Sequence, residues 1–139
     1  MTLTIIETDG ARSHQSFTKA RYLSTETMAA ESRAIWANSW LMAGLVCDVQ
    51  NPGDFFVFEI GAEQILISRD QQGQLHGFYN VCQHRGNLLM ESGHGSVTHF
   101  RCPYHAWTYD LDGTLKGVPL VDKFSEDPRC ANRDLKPVA

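Results

Sequence analysis

The stretches "NVCQHRGN" (80–87) and "FRCPYHAWTYDLDG" (100–113) each set a cysteine and a histidine within three residues of one another. Written as one pattern they give C-x-H-x17-C-x2-H, carried by Cys82, His84, Cys102 and His105. Each pair follows a short β-rich run that ends at Val81 or Arg101. Two loops at one end of a sheet would then face each other, each offering one thiolate and one imidazole. Such a donor set suits tetrahedral zinc or an iron-sulfur cluster. Zinc fingers usually pair like with like, Cys with Cys and His with His. Mixed pairs suit a two-metal site instead, because each loop can deliver its two side chains to two adjacent metals.

If both cysteines bind one iron and both histidines the other, the donor set is that of a Rieske [2Fe-2S] centre. Two thiolates and two neutral imidazoles leave a diferric core with no net charge, whereas four thiolates would leave it negative and resistant to an incoming electron. The histidines therefore make a better electron acceptor. They also keep a ring N–H that an added electron makes harder to ionise. A reduction potential that stays flat from neutral to strongly alkaline pH would count against this coupling.

At 139 residues the chain has the length of one domain, able to bury about two thirds of its unfolded surface without covalent staples. Its net charge of -4, without a Lys/Arg cluster, excludes the electrostatic footprint of a non-specific nucleic-acid binder. The start "MTLTIIETDG" lacks a basic region and a long apolar run, so neither a signal peptide nor a membrane span is expected. The expected location is the cytoplasm, where Cys47, Cys82, Cys102 and Cys130 are not a disulfide framework.

Residues 1–23 show no sustained period and read as an N-terminal arm. From Ser24, a good N-cap, "STETMAAESRAIWANSW" predicts one amphipathic helix over 25–39. Short β-rich runs follow: "WLMAGLVCDV", "FFVFEI", "ILISRD" and "LHGFYNV", separated by turns with Gly53, Gly61 and Gly73. Further strands are expected over 96–101 and 107–110, with a hairpin around Gly93 and Gly95 between the two loops. The segment 119–139 reads as polar loop. The expected class is mainly β, an antiparallel sandwich with a two-loop metal-binding subdomain and one preceding helix.

The segment "CQHRGNLL" followed by "CPYHAWTYDLDGTLKGVP" resembles the N-terminal Rieske domain of the large subunits of ring-hydroxylating and related Rieske non-haem iron oxygenases. The likeness runs back through "NPGDFFVFEIGAEQILISRDQQGQLHGFYNVC" to "SWLMAG" and covers roughly 22–122. It implies an arm at 1–23, a Rieske domain at 24–122 and a segment at 123–139 leading toward a catalytic domain. It also implies that Cys82 and Cys102 hold the inner iron and His84 and His105 the outer one. Electrons would come from a reductase or ferredoxin. They would pass to a mononuclear Fe(II) that activates O2 in the catalytic domain of the same or a neighbouring subunit, in a homotrimer or an α3β3 assembly.

The ligands of that second iron have no counterpart in the remaining sequence, so this chain alone is expected to transfer electrons and hydroxylate nothing. High-potential respiratory Rieske proteins carry a further disulfide-bonded cysteine in each loop, and its lack groups this chain with the low-potential oxygenases and ferredoxins. A free-standing Rieske ferredoxin and a zinc-stapled binding module are the alternative functions.

Around the ligands, Arg85 and Gly86 read as supports of the first loop, with Gly86 allowing close backbone approach to the cluster. Tyr104 and Trp107 read as a cover over it, and Gln83 as exposed. Where the family usually has glycine after the second histidine, this chain has Ala106, so the second loop has either an ordinary backbone or some strain. Cys47 is expected to be buried in a strand and Cys130 exposed in a loop. Trp36 and Trp40 are expected in the core, and His14, His76, His94 and His99 are given no metal role.

Overall fold

A computed structural model describes residues 18–138, which divide into two compact units after Trp40. The expected arm at 1–23 lies outside the described residues except for its end, where Lys19–Leu23 forms a short helix, α1. Ser24 caps α2 (Thr25–Ala34) as expected, its hydroxyl accepting the Thr27 N–H at 3.2 Å. The helix stops short of residue 39, giving way to a single 3-10 turn at Trp36–Asn38. Asn38 contributes to the stop, because its side-chain amide donates to the Arg33 carbonyl at 2.6 Å and satisfies an acceptor freed at the helix end. Trp36 and Trp40 therefore fall beyond the face of α2. They are 44% and 93% exposed, a correction to the expected core role.

In the second unit the first surprise is "LVCDV". Instead of a strand it forms a 3-10 turn, Val46–Val49, because the Asp48 carboxylate accepts the Leu45 N–H at 2.7 Å and closes the backbone locally. Cys47 is consequently exposed rather than buried, whereas Cys130 is exposed as expected.

The β-meander is where the punctuation put it. Strands β1 (Asp54–Ile60), β2 (Glu63–Arg69) and β3 (Leu75–Tyr79) pair antiparallel in order. Gly53, Gly61 and Gly73 adopt positive φ at the expected reversals. The expected hairpin between the loops does not form. Instead β4 (Gly93–Ser96) crosses to the free edge of β1, giving the order β3-β2-β1-β4. Gly95 permits this pairing, since a Cβ there would sit 2.7 Å from the Phe55 ring.

A second sheet is made of β5 (Phe100–Arg101), β6 (Thr108–Tyr109) and β7 (Leu115–Gly117), shorter than the expected runs. One apolar core joins the two sheets. Phe55, Leu66 and Phe78 meet Phe100, Tyr109 and Leu115, with Cys82 and Cys102 inside the same cluster. The buried Ser68 hydroxyl donates to the Leu111 carbonyl at 3.0 Å and ties the layers with a fully satisfied polar contact.

The segment expected as polar loop is built into this unit. It makes 3-10 turns at Val121–Lys123 and Pro128–Cys130, and Leu135 is buried in the core. The Leu135 N–H donates to the Gly113 carbonyl at 2.9 Å, and the Asp134 carboxylate accepts the Leu115 N–H at 2.8 Å. Beyond these, the Tyr79 N–H reaches the Lys136 carbonyl and the Val138 N–H the Gly77 carbonyl, both at 3.0 Å, so the segment lies along β3. Composition hid this: few apolar residues, chiefly Leu135 and Pro128, are buried in the segment, and backbone bonding does the rest. Among the described residues no helix is long and apolar enough to cross a membrane.

Candidate metal centre

The two loops leave the ends of different sheets but make the same turn. In the first, the Cys82 N–H bonds the Asn87 carbonyl at 2.8 Å and the Gly86 N–H bonds the Cys82 carbonyl at 3.0 Å. In the second, Cys102 bonds Trp107 at 2.8 Å and Ala106 bonds Cys102 at 3.0 Å in the corresponding way. The fourth residue after each cysteine's position takes positive φ, 73° at Gly86 and 56° at Ala106. Of the two backbones considered for Ala106, the structure has the strained one, which costs about 1–2 kcal/mol for a residue with a Cβ. At Gly86 a Cβ would meet no protein atom within 4 Å, and the positive φ is what asks for glycine in the turn itself.

Both thiols are 2% exposed and lie in the core, while His84 and His105 are half-buried with ring centroids 4.7 Å apart, edge to face. All four sequence-predicted ligands are thus at one end of the unit, thiols inward and imidazoles outward. A division into two sulfurs and two nitrogens on separate irons fits these loops.

Asn80 fixes the entrance to the first loop. Fully buried, its side chain donates to Gln64 Oε1 at 3.1 Å and the Met90 carbonyl at 2.8 Å, and accepts the Met90 N–H at 3.1 Å. Tyr109, also fully buried, reaches from β6 to the first loop, with its hydroxyl 3.4 Å from Cys82 Sγ and accepting the Gln83 N–H at 3.0 Å. Sequence reading missed both, because each acts through a fold contact far away in the chain. The strand that carries Tyr109 was expected over 107–110; the target of its hydroxyl was not.

Gln83 is half-buried rather than exposed, since its amide turns back to donate to the Val81 carbonyl at 3.0 Å. Trp107 is buried and stacks on His84 at 4.7 Å and 12°. Tyr104 lies against His105 at 3.8 Å but is 58% exposed, with the Arg85 guanidinium 5.9 Å from its ring centroid. Arg85 is therefore a neighbour of the second loop as well as part of the first.

Protonation follows from these surroundings. Burial pushes the Cys82 thiol up, with the Tyr109 hydrogen bond working in the opposite direction. A bound metal overrides that burial, since a coordinating thiol is deprotonated outright. Burial, followed by the adjacent His105, Arg85 and Arg133, lowers the His84 pKa and favours the neutral imidazole that a metal requires. The Tyr109 phenol is pushed upward by burial and by its bond to Cys82, so it stays protonated and able to donate to a deprotonated sulfur. Two buried sulfurs, two adjacent imidazoles and a phenol beside one of the sulfurs together fit a [2Fe-2S] group of the mixed-ligand kind.

A profile of the Rieske [2Fe-2S] domain matches residues 39–132. This chain belongs to that family. It is 38% identical over 118 residues to the glycine betaine monooxygenase oxygenase subunit of Chromohalobacter salexigens, covering 85% of this chain and 26% of the relative. It is 35% identical over 111 residues to the anthranilate 1,2-dioxygenase large subunit of Acinetobacter baylyi, covering 80% and 24%. Among solved structures, the quaternary ammonium Rieske monooxygenase CntA superposes with a TM-score of 0.79 at 35% identity over 88% of this chain and 34% of that one. Naphthalene 1,2-dioxygenase from Rhodococcus sp. gives 0.72 at 31% identity over 81% and 26%. The chain therefore spans about a quarter to a third of these proteins, the part that corresponds to their Rieske region.

Proposed function

We propose that Cys82 and Cys102 hold the inner iron and His84 and His105 the outer iron of a Rieske cluster. On this reading the chain is the electron-transfer domain of a Rieske non-haem iron oxygenase large subunit. The observation that carries it is the pair of matching turns, which set two buried thiols beneath two touching imidazoles. When bound, the cluster supplies a one-electron acceptor and donor. The residues do the rest. Cys82 and Cys102 keep the sulfur side in a dry core, where charge is felt strongly. Tyr109 donates to Cys82 Sγ and so withdraws charge from it, favouring the reduced state. His84 and His105 bring the outer side to the surface, within reach of a partner.

The likeness to oxygenase subunits supports a reductase or ferredoxin as donor and a mononuclear non-haem iron in a catalytic domain as acceptor, in the same or a neighbouring subunit of a homotrimer or α3β3 assembly. It favours this reading over a free-standing ferredoxin. Relatives include both monooxygenases and dioxygenases, acting on quaternary amines or aromatic acids by their names. The location we assign is the cytoplasm, in keeping with cysteines that are all unpaired.

The test is chemical analysis of the purified, reconstituted chain. Red-brown protein with iron and acid-labile sulfide in equal amounts, reducible by one electron, is expected. A colourless protein that holds zinc in its place would refute the assignment, as would product formation by this chain alone with a competent reductase.

A further inference from the structure

The two imidazoles are braced in different ways. His84 lies face to face with the buried indole of Trp107, and Trp107 in turn meets the ring of Phe124 at 6.3 Å and 62°. Nine residues further on, the Arg133 guanidinium donates to the carbonyl of Gln83, the residue just before His84, at 3.2 Å. Phe124, Arg133, Trp107 and His84 also line one cavity of about 260 Å³. Among the described residues His105 makes ring contacts with His84 and with the adjacent, largely exposed Tyr104, which Arg85 flanks, and none with the segment from Phe124 to Arg133.

The form of the turn is common to both loops, and the one-residue offset of the histidines within it does not account for the contacts with Phe124 and Arg133. Nor does a histidine fix its own ring plane: the torsion onto an sp² ring is broad, so the plane is set by what packs against it. Contacts beyond the direct ligands orient metal-bound imidazoles and are felt strongly when removed.

We propose that the segment from Phe124 to Arg133 is a positioning strap for His84. Phe124 backs Trp107, Trp107 fixes the His84 ring plane, and Arg133 fixes the backbone at Gln83. His84 is thereby the rigid imidazole of the pair and His105 the yielding one. This inference rests on His84 being a cluster ligand.

The experiment uses the full chain with its cluster. Wild type must first show iron, sulfide and two distinct histidine-nitrogen couplings by pulsed EPR of the reduced state; if it does not, the ligand assignment fails before the strap is in question. The double variant Phe124→Ala/Arg133→Gln is then compared with Tyr104→Leu. The strap variant is expected to alter the coupling of one nitrogen and to lose iron to a chelator about tenfold faster. Tyr104→Leu is expected to alter only the other nitrogen. Phe124→Tyr/Arg133→Lys should restore wild-type values, and a folded double variant that holds no cluster until so restored is the same result in its extreme form. The strap is refuted by wild-type couplings and iron loss in the double variant. It is equally refuted if both nitrogens change together with a depressed melting midpoint, or if Tyr104→Leu changes the same nitrogen as the strap variant.

Discussion

The loops at 82–87 and 102–107 share a hydrogen-bonded turn and a positive φ at the same step, yet differ at nearly every side chain. The first places its histidine two residues after the cysteine, the second three. The residue that corresponds to His84 in the second loop is Tyr104, and the residue that corresponds to His105 in the first is Arg85. One backbone form thus presents imidazoles from two successive positions, and the rings still meet at 4.7 Å. The turn supplies the reach for the thiols, and the one-residue offset supplies the angle between the rings.

The largest expected effect tests whether the loops are equal where they match. Cys82→Ser and Cys102→Ser should each abolish the cluster, read as loss of colour, iron and sulfide together; a variant that retains a full complement would break the equivalence. Next comes the place where they differ in outside support. Tyr109→Phe removes the hydroxyl that serves only the first loop and leaves the Gln83 N–H without its acceptor, costing about 1–3 kcal/mol in denaturant unfolding. The same change should lower the reduction potential, because a donor to sulfur is lost; an unchanged potential would detach Tyr109 from the cluster.

Exchange at the strained step is smaller. Gly86→Ala should destabilise the cluster-free chain by roughly 1 kcal/mol, since a Cβ there meets no protein atom and the cost is in φ, and Ala106→Gly should stabilise it by somewhat less, the relief being offset by unfolded-chain entropy. Opposite signs in equilibrium unfolding are the expected outcome; equal signs would mean the two turns are not the same.

The smallest effect on the loops is a control from outside both. In the turn between β2 and β3 the Asp70 carboxylate bonds His76 Nε2 at 2.7 Å and the backbone N–H groups of Gln72 and Gln74. The His76 bond, with those of the backbone, holds its pKa below the ordinary aspartate value. A depressed carboxylate pKa contributes stability above the unfolded value and loses it as pH falls through the folded one. Unfolding measured down through that acid range should show this loss in wild type and much less of it in Asp70→Asn, with cluster spectra at neutral pH the same in both.

The two Cys/His pairs and the family they mark were legible because their chemistry is carried by residue type and spacing, both of which a one-dimensional pattern records. So were the meander, through its glycines at the reversals, and the start of α2, through Ser24. The remainder depends on where distant segments meet. Tyr109 is 27 residues from Cys82 and Arg133 is 50 from Gln83, so neither contact leaves a local trace. Trp40 and Cys47 misled for the opposite reason. Their apolar neighbours suggest burial, but the local bonds of Asn38 and Asp48 end or bend the chain before a strand or a longer helix can use them.

The residues that lie along β3 at the C-terminal side also settle what happens at that border of the sheet. An outer strand with open N–H and C=O groups is a template on which another chain can add. Here Phe78 bridges to Pro137, and the flanking bonds to Lys136 and Val138 occupy the row. Proline has no N–H to offer outward, so the added segment ends the ladder instead of extending it. The consequence concerns solubility rather than redox chemistry: on the β3 side of the four-stranded sheet, residues 136–138 cover the edge at Gly77–Tyr79 against addition of another strand.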